Sequence, residues 1–527
     1  MKTSFYAAYL LPILGCKATT THDFGSIQAS PNLTWTPCFD TLSCAKLQVP
    51  LDYANPGLGT TDIAFVKLTG KNATIDSPSI VLIPGGPGGS GIDLLLSSQA
   101  VAATALGDNY SIVSFDPRGV NNSGPKLDCF QGAAEARQTF LRLHSTGVTN
   151  LSTNSVQDQY YSAQIYGDRC NYAVAHGSPH GYYVTTPAVA RDLLSFVEAE
   201  AVLAGRPPAK AKLWSYGVSY GTVISSTFAS MFPDRVGRMV LDGVVDADQY
   251  YHNDWSDGID QMDAAVKKFA SLCHSAGKDK CSFWGPTPDD ILKRLEKAIL
   301  NLQSHPIAIS GMPGDTLPAL VTVSDLKAFI LAALYTPLQK FPILADALHQ
   351  LEQGNATALV GRFAGLAITD DPSVAIRCVD SYRRNSLSTV DGFRRAVEKA
   401  ISRSKYLGDL WIPDVESVLC WSLKPELPDS LVVKDTIGGR QRKTAFPILF
   451  TSNTIDPVTP LKSARAMHSR FPGSSLLQQE AIGHVVLSQG GSVCYMQHIQ
   501  AYFAGVVPPA NTTCPQQFVP FVNHSPV

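Results

Sequence analysis

The 527-residue chain contains no apolar run long enough to span a bilayer, no block of like charge, no internal repeat and no low-complexity linker. The first absence argues against a membrane-spanning protein, since about 20 consecutive apolar residues are needed to cross the hydrocarbon core. The 42 Lys and Arg against 44 Asp and Glu leave a net charge of −2. With no basic run, nothing favours a polyanionic partner such as nucleic acid. No C-x-x-C spacing supports a structural zinc site, and no G-K-[ST] follows the glycine-rich turn at residues 85–91. A zinc centre and a phosphate loop of the G-K-[ST] type both lose their usual signatures, and no metal and no cofactor are expected.

What is present is ordinary globular material, with 45% hydrophobic and 16% charged residues. The opening "MKTSFYAAYLLPILGCKATT" places a lysine before about a dozen apolar residues and then small ones, the layout of a secretory signal over residues 1–18. Export agrees with two further features. Sequons occur at Asn32, Asn72, Asn109, Asn121, Asn150, Asn355, Asn511 and Asn523. Of 11 cysteines, removal of Cys16 with the signal leaves ten, an even set suited to disulfides. Spacing favours the local pairs Cys38–Cys44, Cys129–Cys170, Cys273–Cys281, Cys378–Cys420 and Cys494–Cys514, although spacing does not fix connectivity. The expected localisation is extracellular or within the secretory pathway.

From residue 61 onward, strand-like and helix-like segments alternate. "SIVLIPGG" and "YSIVSFDPRG" are short apolar runs that end in glycine, as buried parallel strands do. "AKLWSYGVSYG", the helical "GTVISSTFASMFPDRV" and "GRMVLDGVVD" then read as strand, turn, helix and strand. Residues 247 to about 430 instead offer successive amphipathic helices, such as "DDILKRLEKAILNLQ" and "GFRRAVEKAISRS". Strand patterns return with "TAFPILFTSN" at 444–453, a helix near 461–471 and "SSLLQQEAI". The economical reading is an α/β core, residues 19–246 and 431–527, interrupted by a helical lid over 247–430.

The chemistry centres on "SYGVSYG". Gly217-Val218-Ser219-Tyr220-Gly221 is the only G-x-S-x-G in the chain, and it sits between a strand and a helix. A nucleophilic serine on such a turn needs glycine two before and two after, because side chains there would strike the neighbouring strand or helix. The serine requires a base, and the base an orienting carboxylate. "PILFTSNTIDPVTP" puts Asp456 just beyond an apolar strand, and "SLLQQEAIGHVVL" puts His484 just beyond the next. Asp242 and Asp246, after an earlier strand, are the competing acids, and Asp242 also suits a turn-tying role. His468 and His498 fall in predicted helices. For the oxyanion, the amide of Tyr220 is one expected donor. The glycine-rich loop supplies the other, Gly86 ahead of Gly85, because Pro87 has no N–H.

Together "SCAKLQVPLDYANP", "PGGPGGSG", "FDPRGVNNSG", "SYGVSYGT", "VLDGVVD", "FTSNTIDPVTP" and "GHVVL" resemble the secreted tripeptidyl/prolyl aminopeptidase group of α/β-hydrolases, in that group's order and over roughly residues 32–515. The resemblance implies the α/β-hydrolase fold with a large helical lid, and it assigns Ser219, Asp456 and His484 as a catalytic triad. It also implies that Asp116 and Arg118 brace the core. Exopeptidases of this group act on free N-termini, while other members hydrolyse esters or small metabolites. The expected substrate is therefore a peptide or small molecule. An exopeptidase needs carboxylates to hold the substrate ammonium, and "DADQYYHNDWSDGIDQMD" at the start of the lid is rich in them.

Overall fold

The computed structural model describes residues 24–523 apart from 312–317, 364–369, 385–386, 415–416 and 434–440. The expected signal segment lies outside the described residues. Eleven strands form one sheet. Near the N-terminus are β1 (Ala29–Ser30), β2 (Thr36–Cys38), β3 (Leu42–Pro50) and β4 (Thr60–Leu68). Next come β5 (Ser79–Ile83), β6 (Ser111–Phe115), β7 (Leu213–Val218) and β8 (Val236–Asp242). A separate hairpin, β9 (Ile307–Ile309) and β10 (Ala319–Val321), precedes β11 (Leu449–Ile455), β12 (Ser475–Ile482) and β13 (Thr512–Cys514). The sheet order is β1-β3-β4-β6-β5-β7-β8-β11-β12-β13, with β2 on β3. From β6 to β13 all pairings are parallel, and antiparallel pairs occur only around β2, β3, β4 and β6.

The continuous apolar character of the central strands follows from helices covering both faces. Alternate residues of β5 take opposite sides: Ile80 and Leu82 join one apolar cluster, Val81 and Ile83 the other. The first face is covered by α1 (Gly91–Leu106), through Leu95 and Ala102, and by the last helix, at Val493–Phe503, through Ile499 and Tyr502. Between β6 and β7 run α2 (Ala134–His144), α3 (Ser155–His176) and α4 (Thr186–Leu203). The second face receives Leu193 of α4 together with Val223, Ile224 and Phe228 of α5 (Gly221–Met231). This is the α/β-hydrolase fold, a mostly parallel sheet flanked by helices.

Between β8 and β11, apart from the β9–β10 hairpin, the regular structure of the described residues is helical. It comprises α6 (Ala247–Tyr251), α7 (Met262–Ala276), α8 (Pro288–Ser304), α9 (Val323–Tyr335), α10 (Pro337–Glu352), α11 (Asp371–Asp380), α12 (Val390–Arg403) and α13 (Gly408–Asp414). Local chemistry starts these helices where it should. Thr287 caps α8 by accepting from the Asp290 amide, with Pro288 next. Thr322 and Asp325 form a reciprocal capping box at α9. Ile291, Leu295, Ala298 and Leu302 then bury one stripe of α8. After β11 follow α14 (Leu461–Arg470) and α15 (Val493–Phe503). The sequence pattern places the return strand at 444–453, but β11 starts at Leu449, beyond Pro447, which has no N–H for the ladder.

The five local cysteine pairs are all joined. Arg118, fully buried, donates to Asp192 of α4 from Nε (2.6 Å) and Nη2 (2.8 Å) and to the Leu51 and Pro50 carbonyls (2.7 Å each). Asp116 accepts from Ser90 (2.6 Å) and from the Asn122 amide and side chain. Both residues brace the core. Replacing Asp192 with alanine leaves a buried guanidinium uncompensated and is expected to remove about 3–5 kcal/mol of stability. Urea denaturation measures this, and a loss below about 1 kcal/mol would contradict the assignment.

Candidate active site

Ser219 stands at the junction of β7 and α5 with φ +53°, a left-handed conformation rare for a residue with a side chain. Two close approaches enforce it. A Cβ on Gly217 would lie 2.6 Å from both the Gly221 carbonyl oxygen and Ser225 Oγ. A Cβ on Gly221 would lie 2.4 Å from the Ile83 carbonyl oxygen of β5. Only glycine fits at either place, so the turn stays tight and Ser219 remains partly exposed at the carboxyl end of the central strand β7. The Ser219 amide donates to the Asp242 carbonyl (2.9 Å), which fastens the turn to β8.

His484 lies in the loop after β12 and Asp456 in the loop after β11. His484 Nδ1 is 3.1 Å from each carboxylate oxygen of Asp456. Asp456 is fully buried, and its oxygens accept from the Val458 amide (2.9 Å), the Thr459 amide (2.8 Å), Thr459 Oγ1 (2.9 Å) and the Val485 amide (3.1 Å). Such a set of donors holds the carboxylate in one orientation. With Nδ1 occupied by Asp456, His484 keeps Nε2 for other chemistry. Its backbone amide donates to the Tyr335 carbonyl of α9 (3.0 Å), and the Tyr335 ring meets the imidazole edge-on, centroids 5.3 Å apart.

Ser219 and His484 line one cavity of about 740 Å3, together with Gly85 and Gly86. The glycine loop touches the elbow directly: a Cβ on Gly85 would lie 3.1 Å from Ser219 Cβ. Neither the Gly86 nor the Tyr220 amide N–H has a hydrogen-bond acceptor among the described residues. The loop contains the spacing G-x-G-x-x-G at Gly86, Gly88 and Gly91, a pattern that elsewhere cradles a pyrophosphate. Here the carboxylate of Asp370 sits against Gly88, 2.6 Å from where a Cβ would be, and an anion is a poor neighbour for phosphate.

Among the competing residues, neither Asp242 nor Asp246 bonds His484. Asp242 does something the sequence signalled only as a turn-tying role. Its buried carboxylate accepts from the Val486 (2.9 Å) and Leu487 (3.0 Å) amides and from Tyr216 Oη (2.6 Å), so it anchors the loop that carries His484. Burial pushes its carboxyl pKa up, and these hydrogen bonds oppose that shift. Asp246 caps α6 and faces the cavity. His468 and His498 lie on α14 and α15, away from the cavity lining. The one metal-compatible cluster among the described residues is Cys494, His498 and Cys514, but its two sulfurs are joined to each other.

Part of the cavity wall comes from the segment inserted between β8 and β11. It includes Gln249, Tyr250, Asp254, Trp255, Asp257 and Arg377. Asp257 is already committed: burial raises its pKa, but hydrogen bonds from Arg403, Lys462 and Gln249 outweigh that and hold it down to about 2. Asp254 is the freer acid. It accepts from the Ser256 amide (3.0 Å) and pairs only loosely with the half-exposed Lys399 (3.6 Å).

Comparison with known proteins agrees with this architecture. The family described as "alpha/beta hydrolase fold" matches residues 78–273, and "TAP-like protein" matches residues 420–514. The chain is 27% identical to the protein "Serine protease Hip1" of Mycobacterium tuberculosis over 512 residues, 91% of this chain and 90% of that protein. It is 25% identical to the "Tripeptidyl aminopeptidase" of Streptomyces lividans, covering 91% of this chain and 84% of that one. It is also 25% identical to "Carboxylesterase B" of Mycobacterium tuberculosis, with 93% and 91% covered. Hydrolysis is common to all three names.

Removing the Asp242 carboxylate strands the Val486 and Leu487 amides in the interior, at about 1–3 kcal/mol for each group left unpaired, and leaves the Tyr216 hydroxyl with Tyr495 alone. An Asp242→Ala variant is therefore expected to melt several degrees lower than the parent and to lose activity through the loosened His484 loop. Calorimetry beside an activity assay checks this. An unchanged Tm would refute the anchoring role.

Proposed function

We propose that this chain, which belongs to the TAP-like α/β-hydrolases, is an exported serine hydrolase that works through an acyl-enzyme and releases residues from the free N-termini of peptides. The observation that carries the mechanism is a single cavity into which both the Ser219 elbow and the Asp456-oriented His484 open. His484 Nε2 takes the proton from Ser219 Oγ as that oxygen attacks the substrate carbonyl carbon. The oxyanion that forms accepts from the Tyr220 and Gly86 amides. The C–N bond then breaks, and His484 returns the proton to the departing amine. Water, deprotonated by the same imidazole, releases the acyl group and restores Ser219.

The exopeptidase reading rests on the acidic side of the cavity. A free N-terminus carries an ammonium that must be paired when it enters a partly enclosed site. Asp254, weakly engaged by Lys399, is the carboxylate we assign to it, with Gln249 and Trp255 also in the wall. Export is supported by five disulfides, which persist in oxidising compartments. No described helix is long and apolar enough to cross a membrane. A second reading, hydrolysis of apolar esters, is favoured by Leu82, Leu94, Val101 and Val218, which also face the cavity.

Two measurements separate these readings. Chromogenic peptides with free and blocked N-termini, run beside p-nitrophenyl esters, should show turnover of the free-amine peptides and loss of that turnover in Ser219→Ala. Ester turnover without peptide cleavage would transfer the assignment to the second reading. For Asp254→Asn, loss of one charged pair is expected to raise KM for free-amine peptides about tenfold or more, the equivalent of about 1.4 kcal/mol. An unchanged KM would remove Asp254 from the ammonium site.

A further inference from the structure

We infer that α11 is the positioning element of the oxyanion site, abutting the glycine loop at one end and holding the Tyr220 side chain at the other. The inference rests on the reading of Gly86 and Tyr220 as the oxyanion donors, and it adds that the inserted helices set both amides.

At its N-terminal end α11 packs backbone to backbone on the loop. A Cβ on Gly88 would lie 2.8 Å from Ser373 Cα and 2.6 Å from Asp370 Oδ2, so the loop has no room to move toward the inserted helices. At the other end lies Asp380, fully buried. Its carboxylate accepts from the Thr186 amide (2.8 Å), Thr186 Oγ1 (2.5 Å) and Tyr250 Oη (2.8 Å). Thr186 Oγ1 is in turn 2.6 Å from Tyr220 Oη. Because the carboxylate can only accept, Thr186 donates to it and Tyr220 donates to Thr186. The phenol of the residue after the nucleophile therefore ends a directed chain that starts on α11. All four side chains are at most 1% exposed, so water cannot substitute for a lost partner.

Helix α11 is itself fixed to its surroundings. Cys378 is joined to Cys420, and Asp371 accepts from Tyr166 Oη (2.9 Å), the Cys129 amide (2.8 Å) and Arg137. The groups around Asp380 are Thr186, Tyr220, Tyr250, Tyr251 and Arg384, whose Nη2 donates to the Asp380 carbonyl. A purely structural role for this network would change stability alone. A positioning role moves kcat, because an oxyanion donor acts in the transition state and not in substrate binding.

The test compares kcat and KM of Tyr220→Phe, Asp380→Asn and their double variant on a free-amine peptide that the parent cleaves, with Ser219→Ala alongside. Misplacing one oxyanion donor is expected to lower kcat about fivefold or more with KM within about threefold, short of the hundredfold or more that follows removal of a donor. The double variant should be no slower than the slower single one, since both break one chain. A smaller fall in Tyr220→Phe, a change confined to KM, or losses that multiply in the double variant would each overturn the inference. Tyr220→Phe removes a single hydroxyl, so it decides alone should Asp380→Asn fail to fold. Activity surviving in Ser219→Ala would instead overturn the underlying reading of the site.

Discussion

The backbone of Ser219 is the constraint around which the remainder is arranged. A side-chain-bearing residue at φ +53° costs on the order of 1–3 kcal/mol relative to relaxed backbone, and it persists only where its surroundings over-determine it. Here they do so on three sides. The Ile83 and Pro84 carbonyls leave no space at Gly221, the helix itself leaves none at Gly217, and the β8 carbonyl of Asp242 accepts the Ser219 amide. The hydroxyl is thereby raised into the cavity without depending on a flexible side chain to hold it there. The same turn points the Tyr220 N–H at the start of a helix, where the helix dipole favours negative charge.

Three buried carboxylates act as joints around that turn, each gathering donors from separate parts of the chain. Asp456 collects amides from its own loop and from Val485, and so binds the β11 and β12 loops together. Asp242 collects the Val486 and Leu487 amides and the Tyr216 phenol, linking β7, β8 and the His484 loop. Asp380 reaches from the helical insertion to α4 and, through Thr186, to the elbow. The insertion also touches His484 through Tyr335. It is not a detachable cover: its apolar residues, such as Phe329 and Leu344, belong to the same cluster as Val81 and Leu241 of the sheet.

Much of this was readable from residue order. The strand that ends in glycine, the G-x-S-x-G turn and the two later loops carrying Asp456 and His484 are local patterns, and local patterns survive in sequence. The cysteine pairs were readable for the same reason, since each closes a short stretch of chain. Asp242 was harder, because its value lies in the two amides it meets more than 240 positions away. Asp380 gave no signal at all, its partners being Thr186 and the tyrosines at 220 and 250. Helices α2, α3 and α4 likewise carried no motif that marked them in advance. The acids at the start of the insertion looked alike in sequence. Only the structure separates Asp257, tied to Arg403 and Lys462, from the looser Asp254.

The central claim is that Ser219 forms the covalent bond. Reaction of the purified protein with a fluorophosphonate, which phosphonylates an activated serine, tests it without knowledge of the substrate. Intact mass followed by peptide mapping is expected to show one adduct per chain, on the peptide that bears Ser219, and none in a His484→Ala variant. An adduct on another residue, or equal labelling when His484 is absent, would contradict the account.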